Sequence, residues 1–334
     1  MSSLRRVFDF VKDKDYRFLV LARHGFYDSL SDRDYMLRGA LANKCCPLNI
    51  ENPVTFNDKL AWLKLYDRKP LYTQIVDKYA VRSFVSERLG EDCLVPLVGG
   101  PWSSVDEIDF QSLPDKFVLK CTHDSGGVVV CKDKASLDTS CVKKTLSRHM
   151  ARNFFYMNRE WPYKNISPRI IAEEFLQQDC SIPMAETEGC AVSVEQLQSQ
   201  YGLLDYKVSC FNGKARLFMV FIGVISNDSK GEEYYENIYD QDFRILEIED
   251  CVPFPAPRYG IEIVKPAFFD EMIEKAELLS KDIPFARVDF YHVNGKVKVG
   301  EITLYPDGGV TVYKPVSWEN TLGGWLELPK GSLP

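Results

Sequence analysis

The sequence lacks several of the patterns by which enzymes announce themselves. Its ten cysteines contain no CxxC pair, so neither a zinc ribbon nor a dithiol redox centre is indicated; scattered thiols such as Cys121, Cys131 and Cys210, set among apolar residues, read as reduced and buried in a cytoplasmic protein. There is no Walker phosphate loop and no GxGxxG turn. The four histidines, His24, His123, His149 and His292, have no metal-ligand spacing. No apolar run reaches the length of a membrane-spanning helix. The opening MSSLRRVFDFVKDKD breaks its apolar stretch with Asp9, Lys12, Asp13 and Asp15, which argues against a signal peptide. Basic residues are also short: 41 Lys and Arg against 48 Asp and Glu give a net charge of −7, the wrong balance for a nucleic-acid partner. An acidic protein that handles phosphates must concentrate its cations at individual positions.

What remains is a globular composition, 45% hydrophobic and 27% charged over 334 residues, enough for two or three lobes. Residues 1–92 read as a helical region. Leu4, Val7, Phe8 and Val11 form an amphipathic stripe that suits either a membrane surface or packing on the protein itself. Thr55 is placed to cap a helix through Phe56, Leu60 and Leu63, and a helix from Leu71 to Leu89 ends at Gly90. From residue 93 onward short apolar runs alternate with Gly, Pro and Asp, as in strands. The expected class is α/β (α+β): an N-terminal helical region, a lobe over 93–173 and a second lobe over 174–334. The polar stretch from Gln177 to Tyr201 reads as an insertion or flap. Asn212-Gly213 and Asn294-Gly295 read as hairpin turns.

The second hairpin carries the sharpest signal. Asp289 and Glu301 are the only carboxylates on its two strands, and residue parity decides whether they share a face. A two-residue turn pairs 293 with 296, hence 289 with 300, and separates them. A three-residue loop with Gly295 in the left-handed region pairs 292 with 296 and brings Arg287, Asp289, Glu301 and Thr303 to one face. That set would hold Mg²⁺ and a polyphosphate; a solvated face with a salt bridge is the alternative. In FVLKCTHDSGG a strand ends in Lys120 and leads into a loop whose Ser125, Gly126 and Gly127 let backbone N–H groups approach an anion, although ordinary hairpins use Ser-Gly-Gly too. RIIAEEFL ends an apolar strand in Glu173 and Glu174 before Phe175 and Leu176, a lobe-connecting segment against which a purine fits. Lys207 in LLDYKVSCF is a further phosphate cation. Trp161, Tyr163 and Lys164 in REWPYK read either as a sugar-binding wall or as a packed turn.

With these pieces in this order the chain resembles the TupA-like ATP-grasp family, associated with teichuronopeptide and other cell-surface polysaccharide biosynthesis. The resemblance spans Leu48 to Leu328 through NPVTFNDKLAWLKLYDRKPLYTQIVDKYAVR, FVLKCTHDSGG, REWPYKNISPRIIAEEFL, LLDYKVSCFNGK and RVDFYHVNGKVKVGEITLYP. It implies an ATP-grasp fold in which two α/β lobes grip ATP. It also implies nucleotide contacts from Lys78 and Lys120, a phosphate-covering loop at Ser125–Gly127, an adenine-holding hinge over Glu173–Leu176, and Mg²⁺ ligands in Asp289 and Glu301. Thr303 stands where the superfamily usually has Asn, and Asp124 where this family more often has Gly. Arg287 and Lys207 are the implied catalytic cations. The implied reaction is ATP- and Mg²⁺-dependent ligation of a carboxylate to an amine on a uronic-acid-containing glycan. Two alternatives stand beside it: a kinase acting on a sugar hydroxyl, and a glycosyltransferase-like protein, for which Asp13-Lys14-Asp15 supplies a DxD spelling inside a helical segment.

Overall fold

The computed structural model describes residues 3–43, 45–177, 192–224, 233–250 and 262–330. The Pro253–Pro257 stretch and most of the expected flap lie outside these residues.

Six helices open the chain: α1 (Ser3–Lys12), α2 (Lys14–Arg23), α3 (Asp32–Ala42), α4 (Phe56–Tyr66), α5 (Pro70–Val76) and α6 (Val81–Leu89). The start of α4 follows the sequence signal closely. Thr55 accepts from the Asp58 N–H while the Asp58 carboxylate accepts from the Thr55 N–H, a reciprocal capping box. The single helix expected over Leu71–Leu89 is instead broken. The Asp77 carboxylate accepts from the N–H groups of Tyr79 and Ala80 at 2.9 and 3.3 Å and thus competes with helical backbone bonding. Its other oxygen pairs with Arg169 at 2.6 Å. Lys78 therefore lies in the break between α5 and α6 rather than inside one long helix.

A four-stranded antiparallel sheet follows, built from β1 (Leu97–Trp102), β2 (Phe117–Cys121), β3 (Val128–Cys131) and β4 (Ile170–Glu174) in the order β1-β4-β2-β3. Helix α7 (Thr139–Met150) covers it, and α8 (Phe155–Asn158) follows. Phe117, Leu119, Cys121, Leu146, Ile170 and Ala172 form its core. After α9 (Val194–Tyr201) comes a five-stranded sheet of β5 (Asp205–Phe211), β6 (Lys214–Val224) and β7 (Glu233–Tyr239), joined beyond the short β8 (Glu249–Asp250) and α10 (Phe269–Ser280) by β9 (Phe285–Val293) and β10 (Lys296–Thr303). Its order is β10-β9-β5-β6-β7, every pair antiparallel. The chain closes with β11 (Tyr313–Lys314), which pairs with β8, and α11 (Trp318–Trp325).

Helices α4, α5, α6, α10 and α11 share a single core with the five-stranded sheet, and α10 packs on the face of Tyr206 and Phe218, where the Phe269 ring lies 4.7 Å from Phe218. Phe56 sits at the centre of this core, with ring centroids 5.0 Å from Phe285 and 5.6 Å from Phe211. Truncating so buried a ring costs about 3–5 kcal/mol. Phe211 and Phe285 share a face with Lys207, Arg287 and Asp289; beyond this aromatic cluster that face carries charge, and there it makes the site.

Candidate active site

The Asn294-Gly295 turn is the tight two-residue form: both residues have positive φ, 51° and 75°, and Val293 pairs with Lys296. The three-residue loop expected from the metal-site argument is thus not what the chain uses. The face is assembled nonetheless, because the register slips by one residue between Val299 and Glu301. Gly300 is the extra residue of this bulge, and a side chain there would place its Cβ 2.9 Å from the Tyr291 ring. Beyond the bulge Glu301 lies opposite Asp289 and Thr303 opposite Arg287. Across β5, Lys207 lies opposite Asp289. Arg287, Asp289, Glu301, Thr303 and Lys207 therefore share one face.

Their contacts form a tight network. Arg287 grips the buried Asp289 with two parallel bonds of 2.7 and 2.8 Å and lies 3.8 Å from Glu301. Thr303 donates to Glu301 over 3.4 Å. Lys207 Nζ is 3.0 Å from Asp205 and 3.9 Å from Asp289. Burial pushes the Asp289 carboxyl up to about 6, against the pull of Arg287 and Lys207. Burial also acts against the Arg287 and Lys207 cations, yet the carboxylates beside them win and both are held more firmly protonated than usual. Glu301 feels burial too, but Lys78, Arg287, Lys207 and Lys120 outweigh it and draw its carboxyl below the ordinary range. Its side chain stays 43% exposed. A carboxylate that is charged, half open and ringed by cations is suited to a metal–phosphate complex.

The α5–α6 break and the loop after β2 approach this face. Lys78 Nζ is 3.8 Å from Glu301 and donates to the Asp124 carbonyl at 2.6 Å, so it links the 122–127 loop to the hairpin. Lys120 does not reach Asp289 or Glu301; it pairs with buried Glu173 at 2.6 Å, where Arg82 also approaches to 3.7 Å. Beyond Glu173 the strand surfaces: Glu174 is exposed, Phe175 and Leu176 are half-buried, and the Glu174 N–H donates to the Pro96 carbonyl at 2.9 Å. In the loop, Ser125 and Gly126 are exposed, Gly126 has φ +90°, and Gly127 is packed so closely that a Cβ there would lie 2.6 Å from Asp124 Oδ1.

Sequence reasoning missed Glu236. It lies opposite Phe221 on β6, which in turn lies opposite Asp205, so it stands on the charged face. Its Oε1 is buried without a hydrogen-bond partner, and burial pushes its carboxyl up to about 7 despite Lys207 and Arg287 nearby. Its strand is separated in sequence from the hairpin, and only the sheet order reveals the shared face. Arg82 was missed for the same reason. Two readings resolve toward structure. Asp13 caps α2 by accepting from the Asp15 and Tyr16 N–H groups, and Asp15 pairs with Arg38, so the DxD spelling serves helix architecture. In REWPYK, Glu160 and Pro162 are buried and Tyr163 packs edge-on against Phe154, as in a packed turn.

Among the described residues no group of three or more His, Cys, Asp or Glu side chains forms a ready metal cage. The donor set fits Mg²⁺ in the way that ion is usually held: two facing carboxylates, with phosphate oxygens and water completing the shell. Asp289 and Glu301 would hold it, with the Thr303 hydroxyl beside them.

Comparison with known proteins gives one matching family. The family described as TupA-like ATPgrasp matches residues 58–186 and 192–327. No curated protein matches the sequence. Similar solved structures include a D-alanine–D-alanine ligase from Bacillus anthracis complexed with ATP (15% identity, TM-score 0.35, covering 69% of this chain and 54% of that one). The ATP-grasp ligase PsnB with a phosphomimetic precursor variant, Mg and ADP is similar at 10% identity and TM-score 0.39, covering 80% and 62%. A D-alanine–D-alanine ligase from Helicobacter pylori is similar at 13% identity and TM-score 0.38, covering 81% and 69%. The chain spans about half the length of the first of these. The family match covers both sheets and every element that contributes to the charged face, and on that ground the chain belongs to the TupA-like ATP-grasp family.

Proposed function

We propose that the protein is an ATP- and Mg²⁺-dependent ligase. It activates a carboxylate as an acyl phosphate and joins it to an amine, on a uronic-acid-containing surface polysaccharide or its precursor. The observation that carries this reading is the convergence of Lys78, from between the early helices, on Glu301 of the Arg287–Asp289–Glu301 face at 3.8 Å. Phosphoryl transfer asks the protein mainly for positioning and charge neutralisation, and this is a cation–carboxylate set of that kind.

In this reading Lys78, Lys120 and the Ser125–Gly127 loop take the nucleotide phosphates, and the Glu173–Leu176 segment frames the adenine. Arg287 and Lys207 stabilise the charge that builds as the acceptor carboxylate oxygen takes the γ-phosphoryl group and ADP leaves. The amine nitrogen then displaces phosphate, losing its proton. Mg²⁺ held by Asp289, Glu301 and Thr303 supplies further charge neutralisation when bound. The free, largely buried thiols, Cys93, Cys121, Cys131 and Cys210 among them, suit a cytoplasmic site of action. No described helix is long and apolar enough to cross a membrane, so contact with membrane-borne acceptors would be peripheral.

The test is a product assay. Purified protein is incubated with MgATP, a panel of uronates and candidate amines, and ADP, free phosphate and product mass are followed. ADP with free phosphate and an amide-mass adduct supports the ligase. Phosphate retained on the sugar would replace it with a kinase, and nucleotide-sugar consumption without ATP would replace it with a transferase.

A further inference from the structure

The 122–127 loop concentrates in consecutive residues an anomaly that the charged face shows only at separate atoms, Glu236 Oε1 and Asp205 Oδ1. Thr122, His123 and Asp124 are consecutive and almost fully buried, yet Thr122 Oγ1, His123 Nδ1 and Asp124 Oδ1 each have no hydrogen-bond partner. Buried polar atoms are satisfied in the great majority of cases, so three orphans in a row mark a segment whose conformation is imposed from outside. What imposes it can be read from the contacts. Asp124 Oδ2 meets His149 Nδ1 at 2.5 Å, both groups buried. The His123 ring meets the His149 carbonyl at 3.2 Å. The loop mouth closes through the Cys121 N–H, which donates to the Gly127 carbonyl at 2.7 Å.

His149 lies in the last turn of α7, where the helix dipole favours a cation, and Arg152 one turn on also faces Asp124. On the other side of the loop, the Asp124 carbonyl takes the Lys78 ammonium at 2.6 Å and the Thr122 carbonyl takes the Lys78 N–H at 3.0 Å. A chain of direct contacts thus runs from α7 through His149 and Asp124 to Lys78, and from there to Glu301.

We propose that His149 is a positioning residue: through Asp124 it clamps the 122–127 loop, and with it Lys78, in the attitude in which they meet the nucleotide phosphates. The contacts of His149 are with Asp124 and His123 rather than with Asp289, Glu301 or Thr303. The clamp is specific to a chain with a carboxylate at position 124, since glycine there would have nothing for the imidazole to hold. The proposal rests on the loop being a phosphate loop only for its functional consequence; the clamp itself is a statement about the unliganded protein.

The experiment separates the two. Amide hydrogen exchange over residues 121–128 and calorimetric binding of MgATP without acceptor are measured on the wild type, His149→Ala and His149→Asn. In His149→Ala the loop amides should exchange about tenfold faster while amides of β5, β6 and β9 are unchanged, and MgATP affinity should fall about tenfold, the scale of one buried charge-assisted bond. In His149→Asn the side-chain amide donates from nearly the same place, and both properties should return toward wild type. Should His149→Ala not fold, Asp124→Ala removes the carboxylate without touching α7 and carries the same expectation. Unchanged loop exchange in the Ala variant, or an Asn variant as loose as the Ala variant, overturns the clamp. Loop exchange that behaves as expected in a protein that does not bind MgATP leaves the clamp standing and overturns the nucleotide reading.

Discussion

The hairpin of β9 and β10 and the loop between β2 and β3 both bring glycine and charge to Lys78, and they manage it in opposite ways. On the hairpin and the neighbouring β5 the site's charges answer one another: Arg287 pairs with Asp289, Lys207 with Asp205, and Glu301 with Lys78 and Arg287. Its irregularity, the bulge at Gly300, is what brings the two carboxylates to one face. In the loop three consecutive buried side chains each leave a polar atom unanswered. The difference teaches where preorganisation resides. The groups assigned to the phosphoryl group are fixed before any ligand arrives, on a rigid sheet. The groups assigned to gripping phosphates sit on a loop whose attitude depends on side-chain contacts, Asp124 with His149 and Lys78 with the Asp124 carbonyl, rather than on strand pairing.

Substitutions can break or sharpen this contrast, and the largest effect is expected on the rigid side. Glu301→Ala should lower ATP turnover about a thousandfold or more, the scale of losing a key electrostatic group, while thermal unfolding shifts little because the side chain is half exposed. A coupled ADP assay and a melting curve check both, and retained turnover would remove Glu301 from the site. Gly300→Val should cost about a hundredfold, because the side chain collides with Tyr291 and displaces the bulge that aims Glu301. On the four-stranded sheet Lys120→Ala should weaken MgATP by only about tenfold, read by calorimetry. It should also cost about 1–3 kcal/mol of stability, since buried Glu173 would keep only Arg82 at 3.7 Å. A loss of turnover as deep as that of Glu301→Ala would erase the contrast between the two regions.

The smallest effect on turnover is expected at Glu319, remote from both regions. Burial pushes its carboxyl up to about 7, although the Asn57 N–H donates to it at 3.3 Å. The folded state then holds its proton more tightly than the unfolded chain does. The group's contribution is favourable below about 4.5 and is lost as pH rises through about 7. Glu319→Gln should leave ADP formation unchanged and flatten that part of the stability–pH curve, measured by denaturant unfolding from pH 4 to 8. An unaltered curve would show that Glu319 is not held protonated.

Much of the site was legible in the sequence, and the failures have physical reasons. Parity on the hairpin correctly demanded an extra residue between Asp289 and Glu301, but one residue can be inserted at the turn or along the strand. The spelling Asn294-Gly295 favoured the two-residue turn, and Gly300 was the unread alternative. The helix proposed over Leu71–Leu89 failed because Asp77 can satisfy backbone N–H groups itself, a local competition that apolar spacing does not register. Glu236 and the His149–Asp124 contact were illegible for a different reason. Both depend on neighbours brought close only by folding, Glu236 across two strand pairings and His149 from a helix 25 residues beyond its partner. Periodicity reports which face a residue occupies on its own element; it is silent on what that face meets.

The central claim is that cations from the earlier part of the chain and carboxylates of the late hairpin meet around one magnesium-bound triphosphate. Calorimetric titration of MgATP into the wild type and into a Lys78→Ala/Glu301→Ala double variant tests it most directly. Wild-type binding on the order of micromolar to sub-millimolar, with a loss in the double variant of about a hundredfold or more and an unchanged melting temperature, is the expected result. Equal affinity in the two proteins, or no binding of MgATP by the wild type, would contradict it.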